Sequence, residues 1–234
     1  MRTARIVCLA AAALAASGCV RYERRETSET RAVELGAAQK VRIQVEMGAG
    51  DLRIEGHGGN LLDGEFHYSV AEWRPEVKYD VSGGRGYLTV RQPPIRGFAT
   101  GEQDNRWDLR LNDRVPLDLR VNLGAGQGDL KLSGMNVRRL EVAIGAGELK
   151  LDLRGPWDSD FEGSIHGGVG QATVRLPREV GVRVHATGGI GGIDAQGLRK
   201  EGDYFFNDAY DAAKSQVRLR LDITGGIGQI NLIG

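Results

Sequence analysis

Seven clusters of glycine interrupt this chain, and they constrain its fold more than any other feature. The residues around each cluster alternate between apolar and polar, as Val41, Ile43 and Val45 do before the first one. A period of two is typical of β-strands with one buried face, and no helical period lies between the clusters. The sequence therefore predicts an all-β protein. The clusters lie at Gly48–Gly50, Gly83–Gly86, Gly124–Gly128, Gly145–Gly147, Gly167–Gly170, Gly188–Gly191 and Gly225–Gly228.

The spacing across the clusters predicts what the glycines do. Met47 and Leu52, the apolar residues on either side of the first cluster, are five positions apart, and Leu123 and Leu130 are seven apart. Both spacings are odd, so strict alternation would turn the second strand inside out. Glycine can absorb the extra residue, because it adopts positive φ at little cost. The 35 glycines among 234 residues are about twice the usual share of ~7%.

The repeat length indicates how the strands are arranged. The first apolar residues after four successive clusters are 19, 23 and 21 positions apart, which gives a unit of two strands and two turns: Leu130, Leu149, Ala172 and Ile193. Such units predict a repetitive, single-stranded β-solenoid or prism in which neighbouring strands bury one continuous core. An antiparallel β-sandwich is the alternative, and periodicity does not separate the two. Open strand edges at the end of such a stack also predict self-association.

One insertion breaks the repeat. Residues 197–216 add a segment between the last two clusters, and it is rich in aromatic residues. An insertion of this kind caps the end of a repeat core or offers an aromatic surface to a partner. The predicted partner surface consists of Tyr204, Phe205, Phe206 and Tyr210.

The start of the chain predicts export. Residues 1–18 place Arg2 and Arg5 before an apolar run of 11 residues, and small residues precede Cys19. That run is shorter than the ~20 residues of a membrane-spanning helix. The segment resembles a bacterial lipoprotein signal peptide, which implies that Cys19 becomes the acylated first residue of the mature protein. Acyl chains at Cys19 would bind the protein to a membrane.

The residues after the cysteine extend this expectation. By the same resemblance, Val20 at the next position implies sorting to the outer membrane. Residues 19–38 are mostly charged or polar and predict a flexible tether. The formal net charge of zero provides no electrostatic footprint for nucleic acid.

Further motifs resemble a known family. The segments that carry the resemblance are Ala71–Tyr79, the turn Ser82–Gly84, Gln92 with Pro93, Arg106–Leu109 and Val115–Leu119. They are similar to the N-terminal toastrack module, and the Gly-Ala-Gly strands that follow resemble the repeats of LiaF-like and candidate adhesin domains. The resemblance implies a toastrack β module at residues 39–122, followed by glycine-turn β repeats at 123–234. It implies no shared catalytic residues.

Known chemical motifs are not matched. The glycine clusters lack the third glycine and the following helix of a dinucleotide site. They also lack the aspartate that a calcium-binding β-roll needs after Gly-Gly-x-Gly. We therefore expect no enzymatic activity, no cofactor and no metal. Carboxylates do recur just after the turns and could form an outward row, although a solvated strand face is the simpler interpretation: Asp51, Asp129 and Glu148.

The function expected from the sequence is that of a non-enzymatic, lipid-anchored protein of the cell envelope. It would bind, sense or scaffold, with a link to envelope stress, and its partner would be an envelope protein. The alternative is a glycan-binding or surface adhesin module.

Overall fold

The computed structural model describes residues 26–94, 104–211 and 217–234, and it is almost entirely β-structure. A 3-10 turn lies at Ala71–Trp73 and a short helix, α1, at Asp208–Asp211. The strands are β1 Thr27–Val33, β2 Lys40–His57, β3 Leu62–Tyr68, β4 Glu76–Ser82, β5 Arg85–Arg91, β6 Asn105–Asn112, β7 Leu117–Lys131, β8 Val137–Asp152, β9 Phe161–Arg175, β10 Gly181–Gln196, β11 Arg199–Glu201, β12 Tyr204–Phe206 and β13 Arg218–Ile233.

Six long strands form the centre of the molecule. They lie in the order β2-β7-β8-β9-β13-β10, and every neighbouring pair is parallel. Each of these strands passes through one glycine cluster. We call the part before the cluster the first arm, the part after it the second arm, and the line of clusters the crest.

The two arms of each strand belong to two different layers. At β2 these layers acquire different neighbours, because β5 pairs with the first arm and β6 with the second. Strand β4 then extends the first layer, while β3 and β1 extend the second. At the other end of the sheet β12 pairs with the first arm of β10, and β11 pairs with β12. The layers are therefore joined along the crest and enclose the core between them.

Inward-pointing apolar side chains, which alternate with outward polar ones along each strand, fill the space between the layers. In β2 the side chains of Val41, Ile43 and Val45 point inward and are buried, and Leu52 and Ile54 do the same from the second arm. The same pattern recurs in each long strand, so the core is one continuous cluster. This arrangement confirms the predicted all-β, solenoid-like fold. Antiparallel pairing occurs only in the outer strands, so the central layers are not an antiparallel sandwich.

The order of the strands differs from a simple solenoid in one respect. Strand β13 comes last in the sequence, yet it lies between β9 and β10 and pairs with both along their full length. The insertion at 197–216 therefore separates β10 in sequence from β13, which is its neighbour in the sheet.

Two of the predicted segments do not coincide with the ends of strands. Part of the predicted tether, residues 27–33, is the edge strand β1, which pairs with β3. Its charges do not prevent this, because Glu29 is held by hydrogen bonds from Tyr68 and Arg74. The predicted division between residues 122 and 123 falls inside β7.

Candidate functional site

The crest is a line of outward-pointing residues, one from each long strand. The middle residue of each glycine cluster lies directly beside that of the next strand, because the parallel register passes through the clusters unbroken. In sheet order these residues are Ala49, Ala125, Ala146, Val169, Ile227 and Ile190.

Glycine is required on both sides of this line. Gly126 has a φ of +126°, and a Cβ atom there would lie closer than 3.0 Å to the carbonyl oxygen of Gly50 on the neighbouring strand. Gly147 has the same relation to Gly126. The backbones are thus stacked at the bend without room for side chains, which fixes the middle residues in an outward position.

Three large apolar residues at one end of the crest are exposed. Val169 is 55% exposed, Ile227 51% and Ile190 72%. They are adjacent in the sheet, at the usual strand spacing of about 4.8 Å, and we call them the crest patch. Contiguous exposed apolar residues mark interaction surfaces more often than scattered ones do.

Among the described residues, the outward side chains next to the crest patch on its own three strands include no Lys, Arg, Asp or Glu, and Glu148 lies on the adjacent strand beside Gln171. On the first-arm side the nearest outward residues are His166, Thr224 and Thr187, and on the second-arm side they are Gln171 and Gln229. The alanine end of the crest is different, since its outward neighbours are Glu46 and Asn122 on one side and Asp51, Gln127 and Glu148 on the other. An apolar centre with a polar rim is the composition of a protein-binding surface.

A small cavity lies beneath the crest patch. It has a volume of about 40 Å³ and is lined by apolar side chains of β9 and β13, among them Ile165, Ala172 and Ile230. Ala172 pairs with Leu149 and Ile230 in the neighbouring strands, and its small side chain leaves the space. This volume would hold about one water molecule, so the crest patch offers a surface rather than a ligand pocket.

The predicted partner surface in the insertion is corrected at one residue. Phe205 is 2% exposed and belongs to the core, because alternation in β12 turns it inward. Tyr204, at 40% exposed, and Phe206 point to the opposite, outer face. Whether these residues and Tyr210 contact a partner stays a prediction.

The outer aromatic residues form a line with arginines between them. His185 stacks on Tyr204 with ring centroids 4.7 Å apart, Tyr204 lies 6.3 Å from Phe206, and Phe206 lies 4.9 Å from Tyr210. The guanidinium of Arg183 lies over Tyr204 at 5.5 Å. Arg199 lies over Phe206 at 5.5 Å and Arg218 over Tyr210 at 4.9 Å. We call this surface the aromatic-arginine face.

The predicted row of carboxylates is interrupted. Gln127 lies between Asp51 and Glu148 in the sheet. Asp129 lies one row further from the crest, 3.8 Å from Arg53. Within the described residues no group of three or more His, Cys, Asp or Glu side chains could hold a metal ion.

Most titratable groups with shifted pKa values belong to ion pairs, while burial is the main cause that raises the pKa values of Tyr68 and Tyr79. A hydrogen bond from Arg74 lowers the pKa of Glu29, against an opposing effect of burial. A hydrogen bond from Arg154 likewise lowers the pKa of Asp152. Each of these two carboxylate shifts has a structural partner as its main cause, and neither group lies at the crest patch or the aromatic-arginine face.

The structure leaves one predicted site residue untested and contains a surface that the sequence analysis did not predict. Cys19 lies outside the described residues, so its acylation stays a prediction. The crest patch was not predicted from the sequence. Its signal is the middle residue of each cluster, which changes from Ala in Gly48–Gly50, Gly124–Gly126 and Gly145–Gly147 to Val or Ile in the last three clusters.

Comparison with known proteins identifies the family. A family model described as the N-terminal domain of toast_rack matches residues 22–175. The chain belongs to the toastrack family. This confirms the resemblance of the N-terminal motifs, and the match continues across β7 and β8 into β9. No helix in the described part of this toastrack protein is long and apolar enough to cross a membrane.

Solved structures support the same assignment. A candidate cell adhesion protein from Clostridium sporogenes is 34% identical, with a TM-score of 0.83 over 89% of this chain and 99% of that one. A candidate adhesin from Bacteroides fragilis is 10% identical, with a TM-score of 0.35 over 92% of this chain and 100% of the other. The latter likeness is too low to support an argument. No curated protein matches the sequence.

Proposed function

We propose that this toastrack protein is a non-enzymatic binding module of the cell envelope that contacts a partner protein through the crest patch. The observation that carries the proposal is the exposure of Val169, Ile227 and Ile190, three apolar residues that are neighbours in the sheet. The description of the Clostridium sporogenes relative as a candidate cell adhesion protein supports a binding role. Perturbed pKa values explained by structural ion pairs agree with a role other than catalysis.

The position of the crest patch suits display. Strand β1 lies at one end of the sheet and β10 near the other. In this proposal Cys19 is acylated and holds the protein on the outer membrane, next to the β1 end. The crest patch would then face away from the anchor, on a stack made rigid by its parallel ladder.

Crosslinking in living cells tests the contact. A photo-reactive residue at Ile190 is expected to form a discrete adduct with one protein, and the same residue at Ala125 serves as the matched control on the alanine end. The adduct should disappear when Val169 and Ile227 are both replaced by Ser. Equal adducts at the two positions, or none at Ile190, would overturn the assignment of the crest patch.

Two further measurements test the finer parts of the proposal. A change in adduct yield when cells are treated with a cell-wall antibiotic would support a link to envelope stress, and an unchanged yield would remove that link. Labelled palmitate should enter the wild type but not a Cys19→Ser variant. A Cys19→Ser variant that still carries the label would refute the anchor.

A further inference from the structure

A second surface, separate from the crest patch, brings two arginines of neighbouring strands together. Arg183 and Arg220 lie directly opposite each other in the register of β10 and β13. Like charges in this position repel and destabilise a sheet. Within the described residues Arg183 has no carboxylate within 4.0 Å, and Arg220 reaches only Glu162, at 4.0 Å. Glu162 also pairs with Arg139, at 3.6 Å.

An aromatic ring holds the guanidinium group of Arg183 in place. Arg183 lies over Tyr204, and Tyr204 is itself fixed between His185 and Phe206. A guanidinium stacked on a ring has less rotamer freedom to lose and keeps its N–H edges available for an oxyanion. Alternation in β12 turns Tyr204 and Phe206 outward because Phe205 fills the core at this position, so core packing does not explain why these two outward side chains are aromatic.

The two arginines line a groove of about 400 Å³. Its walls also carry the hydroxyl of Ser164, the guanidinium of Arg139 and the carboxylates of Glu141, Glu162 and Asp222, so acidic and basic groups are equal in number. Asp222 is in contact with His185 Nδ1, at 3.3 Å. Guanidinium groups bind carboxylates in a bidentate manner, while hydroxyl, imidazole and carboxylate groups exchange hydrogen bonds with sugar hydroxyls.

We infer that this groove binds an acidic polysaccharide, with its carboxylate on Arg183 and Arg220 and its hydroxyls on Ser164 and Asp222. The mixture of charges selects this class of ligand. Glu162 and Asp222 would repel a polymer that carries only negative charge, but they accept hydrogen bonds from hydroxyl groups. The rings stack on one another and do not project, which does not suit insertion into a bilayer.

Affinity electrophoresis of the purified full-length protein in detergent tests the inference. Polygalacturonate in the gel should retard the protein, whereas neutral dextran should not. Replacing both Arg183 and Arg220 with Gln should weaken the binding of polygalacturonate at least about tenfold, the scale of lost charged hydrogen bonds. The matched control is Arg42→Gln, an arginine on the same layer at the β2 end that pairs with Asp118 at 3.7 Å; its binding should stay within about twofold of the wild type.

Further measurements test whether the arginine variants stay folded and whether polygalacturonate binding is independent of the crest patch. The double variant should keep the thermal midpoint of the wild type or exceed it, because the substitutions remove a like-charge pair. A single Arg183→Lys variant, which keeps the charge but loses the planar fork, should bind more weakly than the wild type. Variants of the crest patch should bind polygalacturonate normally, so failure of this inference and failure of the proposed function are distinguishable.

Three results would overturn the inference. The first is an absence of retardation by polygalacturonate. The second is equal weakening in the Arg42→Gln control. The third is tighter binding to polyphosphate than to polygalacturonate, which would assign the groove to phosphate polymers.

Discussion

Stacked glycines determine the shape of the crest at the scale of single residues. In each of the six long strands the residue directly after the middle residue of the cluster is a glycine with φ between +126° and +142°, and its neighbour across the ladder is another such glycine. Any side chain there would require the whole column to move. The crest is therefore rigid, and only the middle residue of each cluster is free to vary.

Replacing Gly126 with Ala should lower the free energy of unfolding by roughly 3 kcal/mol, because backbone strain and a clash with Gly50 add together. Urea denaturation measures the loss. Gly134→Ala is the matched control, since Gly134 has a φ of +72° and no atom within 4 Å of a new Cβ. Its loss should be about 1 kcal/mol, the cost of the left-handed conformation alone. Equal losses at the two positions would contradict the stacking argument.

Glu29 gives the N-terminal strand a dependence on pH. Its carboxylate accepts hydrogen bonds from Arg74 Nε at 3.0 Å and from the Tyr68 hydroxyl at 3.1 Å. Because these contacts lower the pKa of Glu29 in the folded protein, they stabilise the fold above the ordinary pKa. That stability is lost as the pH falls through the lowered pKa.

A Glu29→Gln variant should therefore unfold a few degrees below the wild type at pH 7. The two thermal midpoints should converge as the pH falls below the ordinary pKa of glutamate and through the lowered pKa of Glu29, where the carboxylate of the wild type becomes protonated. Midpoints measured across this range test the prediction. A gap that stays constant with pH would show that the charge of Glu29 is not the cause.

At the scale of elements, alternation and spacing predicted much of the architecture. They indicated the inward faces of β2, β7 and β13 and the bend at each glycine cluster. They did not indicate that β13 lies between β9 and β10, because periodicity contains no information about which strands pair at long range. The charged strand β1 was not predicted for a related reason. Its place in the sheet is stabilised by contacts of Glu29 with residues 39 and 45 positions away.

The candidate site was predictable in part. The aromatic residues of the insertion were noted from the sequence alone, and strict alternation places Phe205 on the opposite face from Tyr204 and Phe206, but the structure is needed to show which face is inward. The meeting of Arg183 with Arg220 depends on the position of β13, so it required the structure.

The position of β13 leads to a prediction about that element. A protein that ends at residue 217 should lose its cooperative thermal transition, because β9 and β10 would both lose their partner and expose inward residues such as Ile165 and Val184. Circular dichroism during heating measures this. A protein that begins at residue 34 is the control: it lacks only the edge strand β1 and should still unfold cooperatively, at a lower temperature. A cooperative transition in the first protein would show that β13 is dispensable.

At the scale of the whole molecule, the two surfaces lie far from the N-terminal strand. The sheet order places ten strand steps between β1 and β11, which at about 4.8 Å per step corresponds to roughly 48 Å, reduced somewhat by twist. The crest patch and the aromatic-arginine face share the β10 end. A partner protein and a polysaccharide could therefore be bound side by side.

Spin labels measure this separation. Labels at Thr30→Cys and Gly202→Cys, in a protein whose Cys8 and Cys19 are replaced by Ser, should give one distance distribution centred at roughly 40 to 50 Å. The distribution should be narrow, because the ladder that joins the two ends is continuous. A broad distribution, or a mean below about half this value, would contradict an extended and rigid stack.

The place of β13 also bears on how the protein is made. Ribosomes add about 5 to 20 residues each second from the N-terminus, so β9, β10 and the insertion emerge before the strand that must lie between them. Before β13 is synthesised, the edges of β9 and β10 that will bind it must either pair with each other and later separate, or stay unpaired. A nascent chain that lacks β13 thus cannot complete the β10 end, and the surfaces proposed to bind ligands form only after synthesis has delivered β13.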